Sequence, residues 1–133
     1  MAQIKTIRVV AAVLEKDGRY LITQRRATAV LPLMWEFPGG RVEGEETDAA
    51  ALKREVRHRL GAEIDVGKLI SFVSHPYDHY VVDLFLYECT LAPGSPLEAR
   101  NVAGFVWATS AEFDQYPFTP ADEASMTKLL GVT

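Results

Sequence analysis

The stretch from Glu36 to Gly61 constrains the fold of this chain more than any other part of its sequence. It opens with Glu36-Phe37-Pro38-Gly39-Gly40, where a proline and two glycines predict a sharply bent loop. A helix is predicted over 47–60, because Thr47 suits the N-cap and Gly61 suits the position just after the C-terminus. Its apolar residues recur every three or four positions and therefore form one buried face. They are Ala49, Leu52, Val56 and Leu60.

Segments rich in apolar and β-branched residues flank this helix on both sides and predict strands. The predicted strands are 4–15, 19–24, 63–74, 79–91 and 104–108. Lys16-Asp17-Gly18 predicts a hairpin turn between the first two. A capping box at Thr109 and a helix start at Thr119-Pro120 predict a short helix and a final helix through Leu130. This order predicts an α+β fold, an α/β/α sandwich with a mixed β-sheet, in which residues 1–133 form one domain.

The composition is typical of a globular protein, with 48% hydrophobic and 24% charged residues. A net charge of -4 gives no general attraction to a nucleic acid polymer, although a nucleotide pocket needs only a few local cations. We expect no signal peptide, because Met1-Ala2-Gln3 is not followed by a basic region and an apolar segment, and the apolar run Val9–Leu14 is too short to span a bilayer. We therefore expect a cytoplasmic protein without a membrane partner. The one cysteine, Cys89, has no internal disulfide partner and is expected to pack in the core.

The spacing over residues 40–62 resembles the Nudix box, G-x5-E-x7-R-E-U-x-E-E-x-G-U, in which U is aliphatic. Gly40, Glu46 and Arg54-Glu55-Val56 match its first part, and Gly61-Ala62 matches its end. The preceding Glu36–Gly40 resembles the MutT-type branch, and the resemblance extends over nearly the whole chain. It implies a Nudix fold, a nucleotide substrate and Mg²⁺ or Mn²⁺ as cofactor.

The chain departs from this family pattern at three acidic positions. Family members carry two adjacent glutamates where this chain has His58 and Arg59, and a further glutamate where it has Asn101. Arg59 follows Glu55 by four residues, a spacing that favours a helical ion pair worth about 0.2–0.5 kcal/mol when exposed. Such a pair would compete with a metal for Glu55, so metal binding is expected to be weak. Glu98 would replace the missing acid only if its loop were shifted.

The resemblance and the charge pattern together assign roles to the box residues. Glu55 and Gly39, the latter through a loop carbonyl, are the expected metal ligands, and Glu55 is also a catalytic candidate. Arg59 either pairs with Glu55 or contacts phosphate directly, since a guanidinium suits phosphate oxygens. His58 is a further catalytic candidate, or the ligand of a softer metal. A salt bridge between Glu46 and Arg54 is expected to brace the loop on the helix. The base for water is left open between Glu55, Glu98 and the acids of 43–45.

Four other residues are predicted to bind substrate, each with a plainer alternative. Arg25 and Arg41 contact the nucleotide or its phosphates, or are solvated cations. The resemblance implies that Asp122 recognises the base; its position in the first turn of the last helix predicts that it stabilises the helix start through the dipole, and the two roles are compatible. Phe118 stacks on the base or belongs to the core. His75, Asp78 and His79 either bind a metal or only form a turn.

Two functions follow from this reading. The first is a Nudix hydrolase that cleaves a nucleoside triphosphate, or a related nucleoside diphosphate derivative, to a nucleoside monophosphate and (pyro)phosphate with weakened activity. The second is a catalytically impaired Nudix-fold module that binds nucleotide or regulates. The sequence leaves open the base, the phosphate chain and the oligomeric state, with a homodimer as one option.

Overall fold

The computed structural model describes residues 4–130, with side chains described as far as residue 125. Met1, Ala2 and Gln3, on which the expectation about a leader rested, lie outside the described residues. The strands are β1 (Lys5–Lys16), β2 (Arg19–Gln24), β3 (Trp35–Glu36), β4 (Gly39–Arg41), β5 (Ile64–Pro76), β6 (Tyr80–Leu91) and β7 (Gly104–Ala108). The helices are α1 (Asp48–Leu60), a 3₁₀ helix (Ser110–Gln115) and α2 (Pro120–Leu130).

Strand β1 lies at the centre of a mixed sheet with the order β3-β2-β1-β6-β5. It runs parallel to β6, from Lys5 opposite Tyr80 onward, and antiparallel to β2 and β4. Asp17 and Gly18 both have positive φ, at 52° and 76°, which suits the twist of a two-residue hairpin. Strand β7 pairs with β2 on the other side of this hairpin. The predicted mixed sheet and hairpin turn are confirmed.

Alternate residues of β1 face two different layers, because successive side chains of a strand point to opposite sides of the sheet. Val10 packs in one cluster with Leu52 and Val56 of α1. Ala11 packs in a second cluster that includes Ala121 of α2. The two helices therefore cover opposite faces, and the predicted α/β/α sandwich is confirmed.

Helix α1, which carries most of the predicted site residues, is fixed at its start. The Thr47 side chain accepts a hydrogen bond from the Ala50 N–H at 3.1 Å, so the predicted N-cap is present. Asp48 accepts two hydrogen bonds from the Arg8 guanidinium, at 2.8 and 2.7 Å. These bonds tie the first turn of α1 to β1 and thereby fix where the helix meets the sheet.

The other end of α1 is closed by a left-handed residue and by a distant loop. Gly61 has φ 63° and donates its N–H to the Arg57 carbonyl at 2.9 Å, as the sequence predicts. The Asn101 side chain donates to the His58 carbonyl at 2.6 Å, and its backbone N–H donates to the Arg59 carbonyl at 3.1 Å. The loop before β7 thus lies directly against the last turn of α1.

Three local features differ from the sequence prediction. The bent loop around Pro38 contains two short strands, β3 and β4, because its backbone completes the hydrogen bonding of β2 and β1. The segment after Thr109 forms a 3₁₀ helix, and β5 extends to Pro76. None of the helices in the described residues is long and apolar enough to cross a membrane.

Candidate active site

A cleft of about 570 Å³ opens against β1 and β6 on the α2 side of the sheet. Its apolar wall includes Val9, Val82 and Leu84. The remaining wall brings together charged residues from the segment after β2, from 36–43, from α1 and from α2. These are Arg25, Glu36, Arg41, Glu43, Glu55, Arg59 and Asp122. One cavity is therefore lined by four residues that the sequence predicted to act on substrate. They are Arg25, Arg41, Arg59 and Asp122.

Glu36 is the most enclosed acid of the bent loop, with 14% of its side chain exposed. It accepts a hydrogen bond from Arg25 Nη1 at 3.1 Å and another from Arg59 Nη1 at 3.3 Å. Burial raises the pKa of its carboxyl, and the two guanidinium groups oppose that rise. Glu36 was absent from the predicted site residues. The available signal was its position at the start of the Glu-Phe-Pro-Gly-Gly motif.

Glu55 lies in the middle of the polar wall and is 8% exposed. Its Oε2 accepts from Arg59 Nε at 2.9 Å, and its Oε1 accepts from Arg54 Nη1 at 2.6 Å. Gly40 lies directly against this carboxyl, because a Cβ added there would be 2.4 Å from Glu55 Cδ and Oε2. The glycine therefore allows the bent loop and α1 to approach each other closely.

Arg54 joins the bent loop to α1 through several hydrogen bonds. It donates to Glu46 from Nε at 2.8 Å and from Nη2 at 2.9 Å, so the expected salt bridge is present. Its Nη2 also donates to the Arg41 carbonyl at 2.9 Å. The Arg54 hydrogen bonds, helped by the Glu43 N–H, lower the pKa of Glu46 to about 2. This brace fixes the backbone that carries Arg41 into the cleft.

Asp122 in the first turn of α2 is buried, although it lines the cleft. It accepts a hydrogen bond from the Phe37 N–H at 3.0 Å and another from Thr119 Oγ1 at 2.7 Å. Burial, with the nearby charge of Glu36, raises the pKa of Asp122 to about 7. Asp122 thus fastens the start of α2 to the bent loop and places a titrating carboxyl in the cleft wall.

Of the two alternatives for Phe118, the structure supports a place in the core and not the predicted contact with a base. Its side chain is 5% exposed and packs at 5.4 Å from Phe113 and 6.5 Å from Phe37, measured between ring centroids. Phe118 does not line the cleft, because the strand-like pairing of this segment with Trp35 turns it into the core. Among the aromatic residues of the cleft wall are Phe37 and Tyr77 instead.

His58 and Glu98 also lie apart from the cleft. The exposed His58 lines a smaller neighbouring pocket with Arg25, Arg59 and Asn101. Glu98 bonds to Arg100 at 2.7 Å and does not line the cleft, so its loop offers no replacement acid there. Glu43 does line the cleft, with 69% of its side chain exposed.

The sequence that forms this cleft matches a known protein family. A family model described as NUDIX domain matches residues 9–128. The chain belongs to the Nudix family. It is 37% identical to the CTP pyrophosphohydrolase of Escherichia coli, over 90% of this chain and 87% of that protein. It is 29% identical to the 8-oxo-dGTP diphosphatase of Haemophilus influenzae, over 97% and 95%.

A solved structure supports the same assignment for this Nudix chain. The solution structure of the mismatch repair protein MutT, a Nudix hydrolase from methicillin-resistant Staphylococcus aureus, is 36% identical to it. That structure superposes with a TM-score of 0.74, over 98% of this chain and 100% of the other. The predicted resemblance to the MutT-like branch of the Nudix hydrolases is therefore confirmed.

Nudix hydrolases generally use divalent metal ions such as Mg²⁺ or Mn²⁺, so the ligands available to such an ion matter. Ions of this kind require several oxygen ligands that face them. Both oxygens of Glu55 face guanidinium groups instead. Among the side chains described, those of residues 4–125, no three from His, Cys, Asp or Glu converge as a metal site. As arranged, these side chains fit at most a weakly held metal, because the expected ligand Glu55 is engaged by two arginines and no side-chain cluster forms near His75 in the described part of the chain.

Proposed function

We propose that this Nudix protein hydrolyses a nucleoside triphosphate, or a related nucleoside diphosphate derivative, with lower activity than its relatives. Water would attack phosphorus in the phosphate chain and release a nucleoside monophosphate and pyrophosphate or phosphate. The proposal rests on the hydrogen bonds that Arg54 donates to the Glu46 carboxylate and to the Arg41 carbonyl. This brace holds the glycine loop, an exposed cation and Glu55 at one side of a nucleotide-sized cleft.

The cleft wall suits a nucleotide whose phosphate chain lies near the arginines and whose base lies near Asp122. Arg41 and Arg59 supply cations for the phosphate chain, whose charge must be neutralised before water attacks. Tyr77, which is half-buried, supplies aromatic surface for a base, and Asp122 supplies a hydrogen-bonding carboxyl in the same cleft. A cytosine or a purine each offers donors for such a carboxyl. CTP and 8-oxo-dGTP are therefore the first substrates to test.

The attacking water needs a base that can reach the cleft. Glu43 and Glu55 both line it, and Glu43 is the more exposed of the two. We propose that Glu43 accepts the proton, since both oxygens of Glu55 are hydrogen-bonded to arginines. The same bonds of Glu55 support weak binding of Mg²⁺ or Mn²⁺ by the protein, and hence the lowered activity.

The test is a panel of nucleotides incubated with purified protein in Mg²⁺, in Mn²⁺ and in EDTA. CTP, dCTP, GTP and 8-oxo-dGTP would be followed by separating nucleoside monophosphate from diphosphate products. Glu43→Gln should lower kcat at least tenfold and change the pH–rate profile. Glu63→Gln serves as the matched control, because Glu63 lies between α1 and β5, bonds to Arg57 and does not line the cleft. Absence of turnover with every nucleotide and metal would overturn the proposal.

A second function is favoured by the arginine contacts of Glu55 and Glu36. A protein that holds its cleft acids in ion pairs can bind nucleotide through cations without hydrolysing it efficiently. Calorimetry on CTP distinguishes this regulatory or binding module from the hydrolase. Tight binding in EDTA without turnover supports the module, and binding that requires Mg²⁺ contradicts it.

A further inference from the structure

A second pocket of about 170 Å³ lies beside the cleft and has no role in the function proposed above. Its lining contains three arginines, a histidine and an amide, and no carboxylate. Arg25 and Arg59 line both this pocket and the cleft, so the two cavities are neighbours across these side chains. The lining residues are Arg25, Arg26, Ala29, His58, Arg59 and Asn101.

The three acidic positions at which the chain departs from the Nudix pattern all line this one pocket. They are occupied by His58, Arg59 and Asn101. Two lie on the last turn of α1 and the third in the loop before β7, and the fold brings them together. Asn101 donates to the His58 carbonyl at 2.6 Å, which holds that loop on the helix end. The substitutions therefore change one local environment from acidic to basic, rather than damaging separate parts of the site.

The arginines of the pocket are held in place before any ligand arrives. Arg25 donates from Nε to the Val30 carbonyl at 2.6 Å and from Nη1 to Glu36 at 3.1 Å. Arg59 donates from Nε to Glu55 at 2.9 Å and from Nη1 to Glu36 at 3.3 Å. In the described part of the chain, Nη2 of each has no such partner, which leaves N–H donors for an incoming acceptor. Fixed guanidinium groups lose little entropy on binding an anion.

Arg26 completes the basic lining without belonging to the cleft. Its side chain is exposed, and it borders the small pocket but not the larger one. Glu36 and Glu55, the acids that accept hydrogen bonds from Arg25 and Arg59, line the cleft but not this pocket. The pocket therefore presents positive charge and N–H donors to anything small enough to enter it.

We propose that this pocket binds a phosphate group directly through its arginines, without a bridging metal ion. A tetrahedral phosphate accepts charge-assisted hydrogen bonds from several guanidinium groups at once. The phosphate is either the terminal group of the nucleotide bound in the cleft or a free inorganic phosphate or pyrophosphate. The first source rests on the proposed hydrolase function, whereas the second does not depend on it.

The experiment titrates inorganic phosphate and then pyrophosphate into the protein by calorimetry, in EDTA and at low salt. We expect binding that weakens as salt is added, because surface charges are screened. Arg26→Ala should weaken it about tenfold, the loss of one charge-assisted contact. Arg57→Ala, on the same helix as His58 but paired with Glu63, is the control and should bind as the wild type does. No binding in EDTA, or equal binding by the two variants, would overturn the proposal.

A kinetic comparison identifies the source of the phosphate. If the pocket takes the terminal phosphate of the nucleotide, Arg26→Ala should raise the KM for the triphosphate and leave the KM for the diphosphate unchanged. If it takes free phosphate, Arg26→Ala should weaken inhibition by added phosphate about tenfold without changing the KM. Both results support the pocket. Phosphate binding that persists in a protein without any turnover would contradict the hydrolase function alone.

Discussion

The guanidinium Nε of Arg59 lies 2.9 Å from Oε2 of Glu55, one helical turn earlier on α1. Only 24% of the arginine side chain and 11% of the glutamate side chain are exposed, so water screens this pair less than a surface pair. Removing one partner would leave the other charged and partly buried. Arg59 is therefore bonded to the carboxylate that, in relatives, is expected to bind a metal.

Replacing both His58 and Arg59 by glutamate should create a cation site around Glu55. The double substitution removes the competing guanidinium and adds two carboxylates on the same helix end. We expect Mn²⁺ affinity, measured by calorimetry, to rise at least tenfold over the wild type. Arg57→Glu changes charge in the same direction on the exposed side of α1 and controls for a general field effect. Unchanged Mn²⁺ affinity in the double variant would contradict the placement of these residues.

Gly40→Ala should damage the site while leaving the protein folded. The added Cβ would meet the end of the Glu55 side chain at 2.4 Å, and a flexible side chain can move aside. Misplacing that carboxyl is expected to lower kcat/KM about tenfold to a hundredfold. Gly39→Ala is the contrasting variant, because its Cβ would be 2.0 Å from the Val10 carbonyl of the neighbouring strand. It should fail to fold, as judged by circular dichroism; a folded Gly39→Ala with normal kcat/KM would refute this account.

Asp122→Asn should change how stability depends on pH. The pKa of Asp122 is raised from 3.8 to about 7 in the folded protein, so the folded state holds a proton that the unfolded state releases. The resulting stabilisation is complete below pH 3.8 and is lost as the pH rises toward 7. Asparagine does not titrate and can still accept from the Phe37 N–H. The Tm difference between wild type and variant should therefore shift in favour of the variant from pH 4 to pH 7. Parallel Tm curves would rule out the raised pKa.

Leu33→Asn should stabilise the loop between β2 and β3. Leu33 has φ 61°, a left-handed conformation that costs an ordinary residue about 1–2 kcal/mol. Its side chain is 46% exposed, so little packing is lost on replacement. Asparagine tolerates this conformation, and we expect a gain of about 1 kcal/mol in the free energy of unfolding. Leu33→Ala loses the same packing but keeps the strain, and should be no more stable than the wild type in urea denaturation.

Local patterns were enough to predict most of the fold. The bounds of α1 follow from Thr47 and Gly61, whose capping preferences operate over a few neighbouring residues. Strands β2 and β7 were predicted at their observed bounds because turn residues punctuate them on both sides. The Glu46–Arg54 brace was predictable for a related reason, since fixed spacing on a loop and helix limits how far apart two side chains can lie.

The sequence by itself predicted the elements of the fold and the brace and offered the pairing of Glu55 with Arg59 as one alternative, because these depend on periodicity and short spacing. The match to the Nudix box implied the family fold. Only the tertiary structure brought Glu36 to Arg59 and Asn101 to His58, across sequence separations of 23 and 43 residues. It also buried Phe118, which the sequence left between core and cleft. Such contacts depend on how the bent loop and the loop before β7 pack on α1, and no local pattern encodes that packing.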